Sequence, residues 1–207
     1  MAKIFTQQEF NDRFSAAIHA CPYVQHPIYN VFNTFNSGRY YWDREAEFIY
    51  KYKVFYTIAK VLEPNHMVEL GVCAGSSGHA YMSGAPTASF TGYDIFGTHD
   101  ETVWNPLGLA HKALAAVSPN FKLIKANFRD LTSLPKADLV IVDGEHDYHN
   151  CYQDLLLAFT ADPEYIWVDD YSGNAVATAV GDAGLVKCYE WWQRIHYCDA
   201  GMIIKMR

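Results

Sequence analysis

The chain has 207 residues, half of them apolar and 19% charged, enough for one sizeable core and a tight fit for two. That composition excludes disordered, collagen-like and coiled-coil chains. With 23 acidic against 16 basic residues and a net charge of -7, it also lacks the basic surface that gripping a nucleic acid requires. No window approaches the roughly 18 consecutive apolar residues of a membrane span. The opening MAKIFTQQEFNDRF carries no apolar segment of signal-peptide type. Cys21, Cys73, Cys151, Cys188 and Cys198 are odd in number, widely spaced and free of any CxxC pairing. They read as small hydrophobes in a reducing compartment, so a cytoplasmic location is expected, with neither membrane nor nucleic acid as partner.

In chain order, Thr6 to Ala20 suits a short helix, with Thr6 and Glu9 placed as in a capping box. Residues 23–42 are aromatic and mixed with turn formers, and include Tyr29, Phe32, Phe35, Tyr40, Tyr41 and Trp42. They suit either a lid over an acceptor or a packing surface against the sheet or a second subunit. Residues 1–44 are accordingly read as an extension, and 45–207 as the main domain. Phe48, Tyr52, Phe55, Ala59 and Leu62 recur at helical spacing and stop at Pro64.

Strands and helices then alternate. Strands are expected at Met67–Leu70, Ser89–Tyr93, Phe121–Lys125, Ala137–Val142 and Tyr165–Val168, with helices near Ser77–Met82, Leu107–Val117 and His149–Phe159. A helix from Asn174 is expected to break at the GDAG of 181–184. A hairpin of Arg194–Cys198 and Gly201–Met206, turning at Asp199-Ala200, is expected to form an antiparallel edge. The pattern predicts an α/β fold: a Rossmann-like doubly wound sheet, mostly parallel, with an antiparallel C-terminal strand and helices on both faces. In such sheets ligands bind beyond the carboxyl ends of the strands.

Strand one runs into Glu69-Leu70-Gly71-Val72-Cys73-Ala74-Gly75-Ser76, a turn whose glycines permit close backbone approach and whose helix presents free N–H groups. The spacing is not G-x-G-x-x-G, and the turn has no phosphate-loop lysine. Strand two ends in Asp94, whose two oxygens match a vicinal ribose diol. Strand four ends in Asp143-Gly144-Glu145-His146 and strand five in Asp169-Asp170. If those strands are neighbours, three carboxylates converge and call for a hard divalent cation, unless Asp169 or Asp170 caps the next segment. His146 is placed to accept a proton near neutral pH, whereas His79 and His149 suit packing or surface positions.

Together these segments resemble the class I S-adenosylmethionine-dependent methyltransferases. The likeness is greatest to the metal-dependent small-molecule O-methyltransferases that modify macrolide sugars. VELGVCAGSSG at 68–78 is similar to the family's first motif and GYDIF at 92–96 to its second. DLVIVDGEHDY at 138–148 and YIWVDDY at 165–171 resemble its fourth- and fifth-strand motifs, and DAGMIIKMR at 199–207 its final strand. The resemblance implies S-adenosylmethionine held by Glu69, Gly71, Cys73, Ala74, Gly75, Ser76, Asp94 and Asp143. Near the adenine it offers Asn127 or Asp130. It further implies Mg²⁺, or Mn²⁺ or Ca²⁺ in its place, on Asp143, Asp169 and Asp170, with Asp143 and His146 catalytic. The expected function is O-methylation of a small-molecule acceptor (a sugar, polyol or phenol), by a chain that forms a homo-oligomer if residues 1–44 serve as a contact surface. A metal-dependent hydroxylase or hydrolase and a non-catalytic nucleoside-binding protein are the alternatives. A nicotinamide-dependent oxidoreductase fits less well, because the glycine spacing is wrong and the carboxylates are left unexplained.

Overall fold

A computed structural model describes residues 4–21, 45–97, 105–187, 190–195 and 201–206. Helix α1 (Gln7–His19) starts where its capping predicts: the Thr6 hydroxyl accepts from the Glu9 N–H, and the Glu9 carboxylate accepts from the Thr6 N–H at 2.8 Å. Each side chain satisfies a backbone donor that the first turn leaves free. Helix α2 (Glu45–Leu62) follows the apolar stripe. Then come β1 (His66–Leu70), α3 (Ser76–Gly84), β2 (Ser89–Asp94), α4 (Pro106–Ala115), β3 (Phe121–Lys125), β4 (Leu139–Val142), α5 (Tyr148–Phe159), β5 (Tyr165–Val168), α6 (Asn174–Lys187), β6 (Glu190–Ile195) and β7 (Gly201–Lys205).

The seven strands form one sheet in the order β3-β2-β1-β4-β5-β7-β6. The first five are parallel, and β7 lies antiparallel to both β5 and β6. Every residue of β4 and β5 is buried, as expected for central strands covered on both faces. Successive side chains alternate between two cores. Met67, Leu139, Tyr165 and Trp167 join Phe10, Phe55, Ile58 and Tyr81 on the face of α1, α2 and α3. Val68, Val140, Ile166 and Val168 join Leu155, Ala158, Ala179 and Val180 on the face of α5 and α6. Phe10 and Ile18 of α1 are therefore part of the same core as the sheet.

Two expectations at the C-terminal end change. Helix α6 runs unbroken through Gly181 and Gly184, because Val176, Ala179, Val180 and Ala183 bury one side of it and outweigh the glycine penalty. The last two strands are antiparallel as predicted, but β6 starts at Glu190 and takes the edge, while β7 inserts beside β5. Gly201 through Ile204 are buried, which an edge position would not give them. Gly201 also makes room for Trp167, since a Cβ there would lie 1.8 Å from the indole. The predicted turn at Asp199-Ala200 lies outside the described residues, as does the aromatic segment 23–42.

Candidate active site

The carboxyl edge of the sheet is held together by main-chain bonds. Gly71 N–H donates to the Tyr93 carbonyl and Asp143 N–H to the Leu70 carbonyl, both at 2.9 Å. Asp169 N–H donates to the Val142 carbonyl at 3.0 Å. The ends of β1, β2, β4 and β5 are thus fixed relative to one another. Gly71 has φ +97°, and a Cβ on it would sit 1.9 Å from the Asp143 carbonyl oxygen, so no other residue fits. The following turn is contracted by left-handed backbone at Cys73 (φ 48°) and Gly75 (φ 82°).

Asp94 closes this half of the site. One carboxylate oxygen accepts the Cys73 N–H at 2.7 Å, and the other accepts the Phe96 N–H at 2.5 Å. Each oxygen keeps a further lone pair for a ligand. Beside it opens a cleft of about 330 Å³ lined by Gly71, Cys73, Asp94, Asn127 and Asp143, all read from the sequence. Phe96, Arg129 and Glu145 line it as well. Ala74, Gly75 and Ser76 shape the turn and the start of α3 without lining the cleft, and of Asn127 and Asp130 only Asn127 reaches it. Glu69 is fully buried below. Burial raises its pKa well above the carboxylate range; Ser77 opposes this, and Asp143, Asp169 and Asp94 add to it, so the group is held as a neutral acid.

The other half of the site is acidic. His146 Nδ1 lies 2.6 Å from an oxygen of Asp170, and its Nε2 lies 3.7 Å from Asp143. Asp143, His146 and Asp170 each offer a ligand atom, all within 4.8 Å of one another, a spacing one cation can bridge. Hydrogen bonding to Asp143 and then to Asp170 lifts the His146 pKa to about 10 against the cost of burial, so in this arrangement the ring carries a proton. Asp170 has φ 51°, a left-handed backbone position at the end of β5. The loop is braced by Asn150, whose Nδ2 donates to Glu145 and Asp147 and whose N–H donates to the Asp147 N-cap.

Asp169 does not join that group. It is 2% exposed and pairs with Lys51 of α2, whose Nζ is 2.5 Å from Asp169 and 3.6 Å from Asp170. Burial works against the Lys51 charge, yet Asp169, Asp143 and Asp170 together raise its pKa. Lys51 was not read from the sequence. The available signal was its place four residues before Phe55, on the flank of the apolar stripe, where its ammonium lies over the Phe55 ring. Asp154 of α5 was missed too. It is 1% exposed, and burial pushes its pKa up to about 7, with Arg129 pulling the other way. It lies directly under Gly144, where a Cβ would meet its oxygen at 2.6 Å, and lines a smaller cavity of about 200 Å³. His79 packs against Tyr52 at 2.9 Å and His149 is exposed, the positions expected of them.

No protein-family model and no curated protein matches the sequence. Solved structures do match its shape. The S-adenosylhomocysteine-bound methyltransferase PaMTH1 of Podospora anserina superposes with a TM-score of 0.62 at 14% identity, over 100% of this chain and 99% of that one. The fold is that of class I S-adenosylmethionine-dependent methyltransferases. The same methyltransferase fold is seen in the O-methyltransferase TomG of Streptomyces achromogenes, which is involved in tomaymycin synthesis and was solved with S-adenosylmethionine. It gives a TM-score of 0.60 at 12% identity, over 98% of this chain and 99% of that one. The ribosomal protein L11 methylase of Lactobacillus delbrueckii subsp. bulgaricus gives 0.56 at 13% identity, over 76% and 79%. The fold alone does not name the acceptor, which has to be argued from the site. No helix among the described residues is long and apolar enough to cross a membrane.

Proposed function

We propose that the protein is an S-adenosylmethionine-dependent O-methyltransferase that methylates a hydroxyl of a small molecule with the help of a divalent cation. The observation that carries this reading is the position of Asp143. It lines the cleft beside Asp94 and Gly71 and is also one of the three closely spaced side chains of the acidic group. A methyl donor in the first site and a cation in the second would be immediate neighbours.

The residues fit both groups. Asp94 has lone pairs free for a ribose diol, Gly71 allows the backbone to approach closely, and Asn127 stands at the far wall. Asp143 and Asp170 offer the carboxylate oxygens that Mg²⁺ or Mn²⁺ takes, with His146 within reach of both. A bound cation would lower the pKa of an acceptor hydroxyl and fix its orientation. The chain's own part is placement and proton handling. His146 stands against both Asp143 and Asp170 and is the chain's candidate base. It then takes the acceptor's proton as an oxygen–carbon bond forms and the carbon–sulfur bond breaks, and the sulfonium charge disappears. The net charge of -7 favours a small acceptor over a nucleic acid.

Calorimetric titration with S-adenosylmethionine, with NAD as control and with Mg²⁺ present or absent, tests the reading. Micromolar binding of the methyl donor alone supports it and justifies a screen of polyols and phenols. Heat only on adding metal, with neither nucleotide bound, rejects it in favour of a hydrolase or hydroxylase.

A further inference from the structure

Asp169 poses a problem that the proposed chemistry does not solve. Its side chain is 1% exposed, whereas those of Asp143, Asp170 and His146 are 22%, 18% and 48% exposed. A carboxyl this deep must take a proton or find a cation. The one cationic group placed against it among the described residues is the Lys51 ammonium, which reaches it from α2 and also approaches Asp170. Lys51 is itself only 27% exposed, and its ammonium lies over the Phe55 ring, 5.8 Å from the centroid.

We propose that Lys51 is a built-in counter-ion that withdraws Asp169 from the cation site. The divalent ion is then left to Asp143 and Asp170, with His146 kept as the base and a fixed positive charge behind the ion. The proposal rests on the cation-assisted reading above, but its core, the Lys51–Asp169 pair, is independent of any metal. Lys51 is a positioning residue here. It sets which carboxylates ligate, and by repulsion it keeps the ion's affinity moderate.

The test combines two measurements on the full chain. In metal-free protein, thermal unfolding of wild type, K51M, D169N and the double variant gives the coupling of the pair. K51M is expected to lower the midpoint by about 5 °C when residue 169 is Asp, and by far less when it is Asn. Lys51→Arg is expected to restore most of the loss. Equal losses in both backgrounds overturn the pair. Mn²⁺ binding followed by electron paramagnetic resonance then assigns the ligands. D169N should stay within about threefold of wild type, D170N should weaken binding by about tenfold or more, and K51M should tighten it by about tenfold. Loss of Mn²⁺ affinity in D169N equal to that in D170N overturns the proposal, as does weaker binding in K51M. Absence of Mn²⁺ binding in every variant overturns the cation-assisted reading and the ligand assignment with it, while the unfolding cycle still decides the pair.

Discussion

The two halves of the site are built from different materials. Around Gly71 and Asp94 the backbone does most of the work: main-chain N–H groups occupy one lone pair on each Asp94 oxygen, and the shape depends on left-handed turns. Around Asp143, Asp169 and Asp170 charged side chains neutralise one another, with His146 and Lys51 lying between the carboxylates. A site built from main chain tolerates changes of side chain so long as the turn survives. A site built from opposed charges is sensitive to each of its members and to pH. The cleft can thus carry Cys73 at a left-handed position without losing its form, whereas removal of one charge from the acidic group unbalances the rest.

The sharpest way to break this contrast is Gly71→Ala. The added methyl would strike the Asp143 carbonyl, so a cost of about 3 kcal/mol or more is expected, with loss of methyl-donor binding. Chemical denaturation and calorimetry would measure both. Asp170→Asn comes next and should separate the halves: turnover is expected to fall by at least about 100-fold, while affinity for S-adenosylmethionine stays within about threefold. Equal loss of both would mean that the two halves act as one.

Asp154 offers a pH test. Its folded pKa of about 7 lies above its ordinary value of 3.8, so between those limits the folded state binds more protons than the unfolded state. Stability therefore falls as pH rises from about 4 to 7, by about 4 kcal/mol from this group, and the loss is complete above its folded pKa. Asp154→Asn should flatten that slope in urea denaturation, and an unchanged slope would refute the assignment. Cys73→Gly relieves a left-handed non-glycine residue and should add about 0.5–1 kcal/mol with donor affinity unchanged. Gly181→Ala is the mildest change. A Cβ there meets nothing within 4 Å, and helix propensity alone should give about 0.5–1 kcal/mol.

Strands β3 and β5 were legible to the residue, because a short apolar run bounded by Asn120 and Asn127, or by Glu164 and Asp169, leaves little freedom in where it ends. The turn after β1 and the carboxylates after β2, β4 and β5 were legible for a related reason: strand ends in such a sheet lie together whatever the details. Two kinds of information were missing. The order of β6 and β7 depends on which segment buries both faces, a property of the whole sheet and not of the local alternation. The partner of Asp169 sits on α2, before the sheet begins, and a lysine flanking an apolar stripe looks like any solvated lysine until the helix is docked. Likewise, no residue type announces the left-handed backbone at Asp170.

The insertion of β7 bears on how the chain is synthesised. Strand β5 has its full complement of neighbours only when residues 201–205 arrive, and these follow every other element in chain order. Until then β5 is an open edge, with Trp167 lacking the glycine that β7 later lays over it. A nascent chain halted before Gly201 would present an apolar strand, Tyr165–Val168, with unpaired main-chain groups, the type of surface that chaperones bind and that aggregates nucleate on. For this protein, translation must reach its last strand before the sheet has a finished interior.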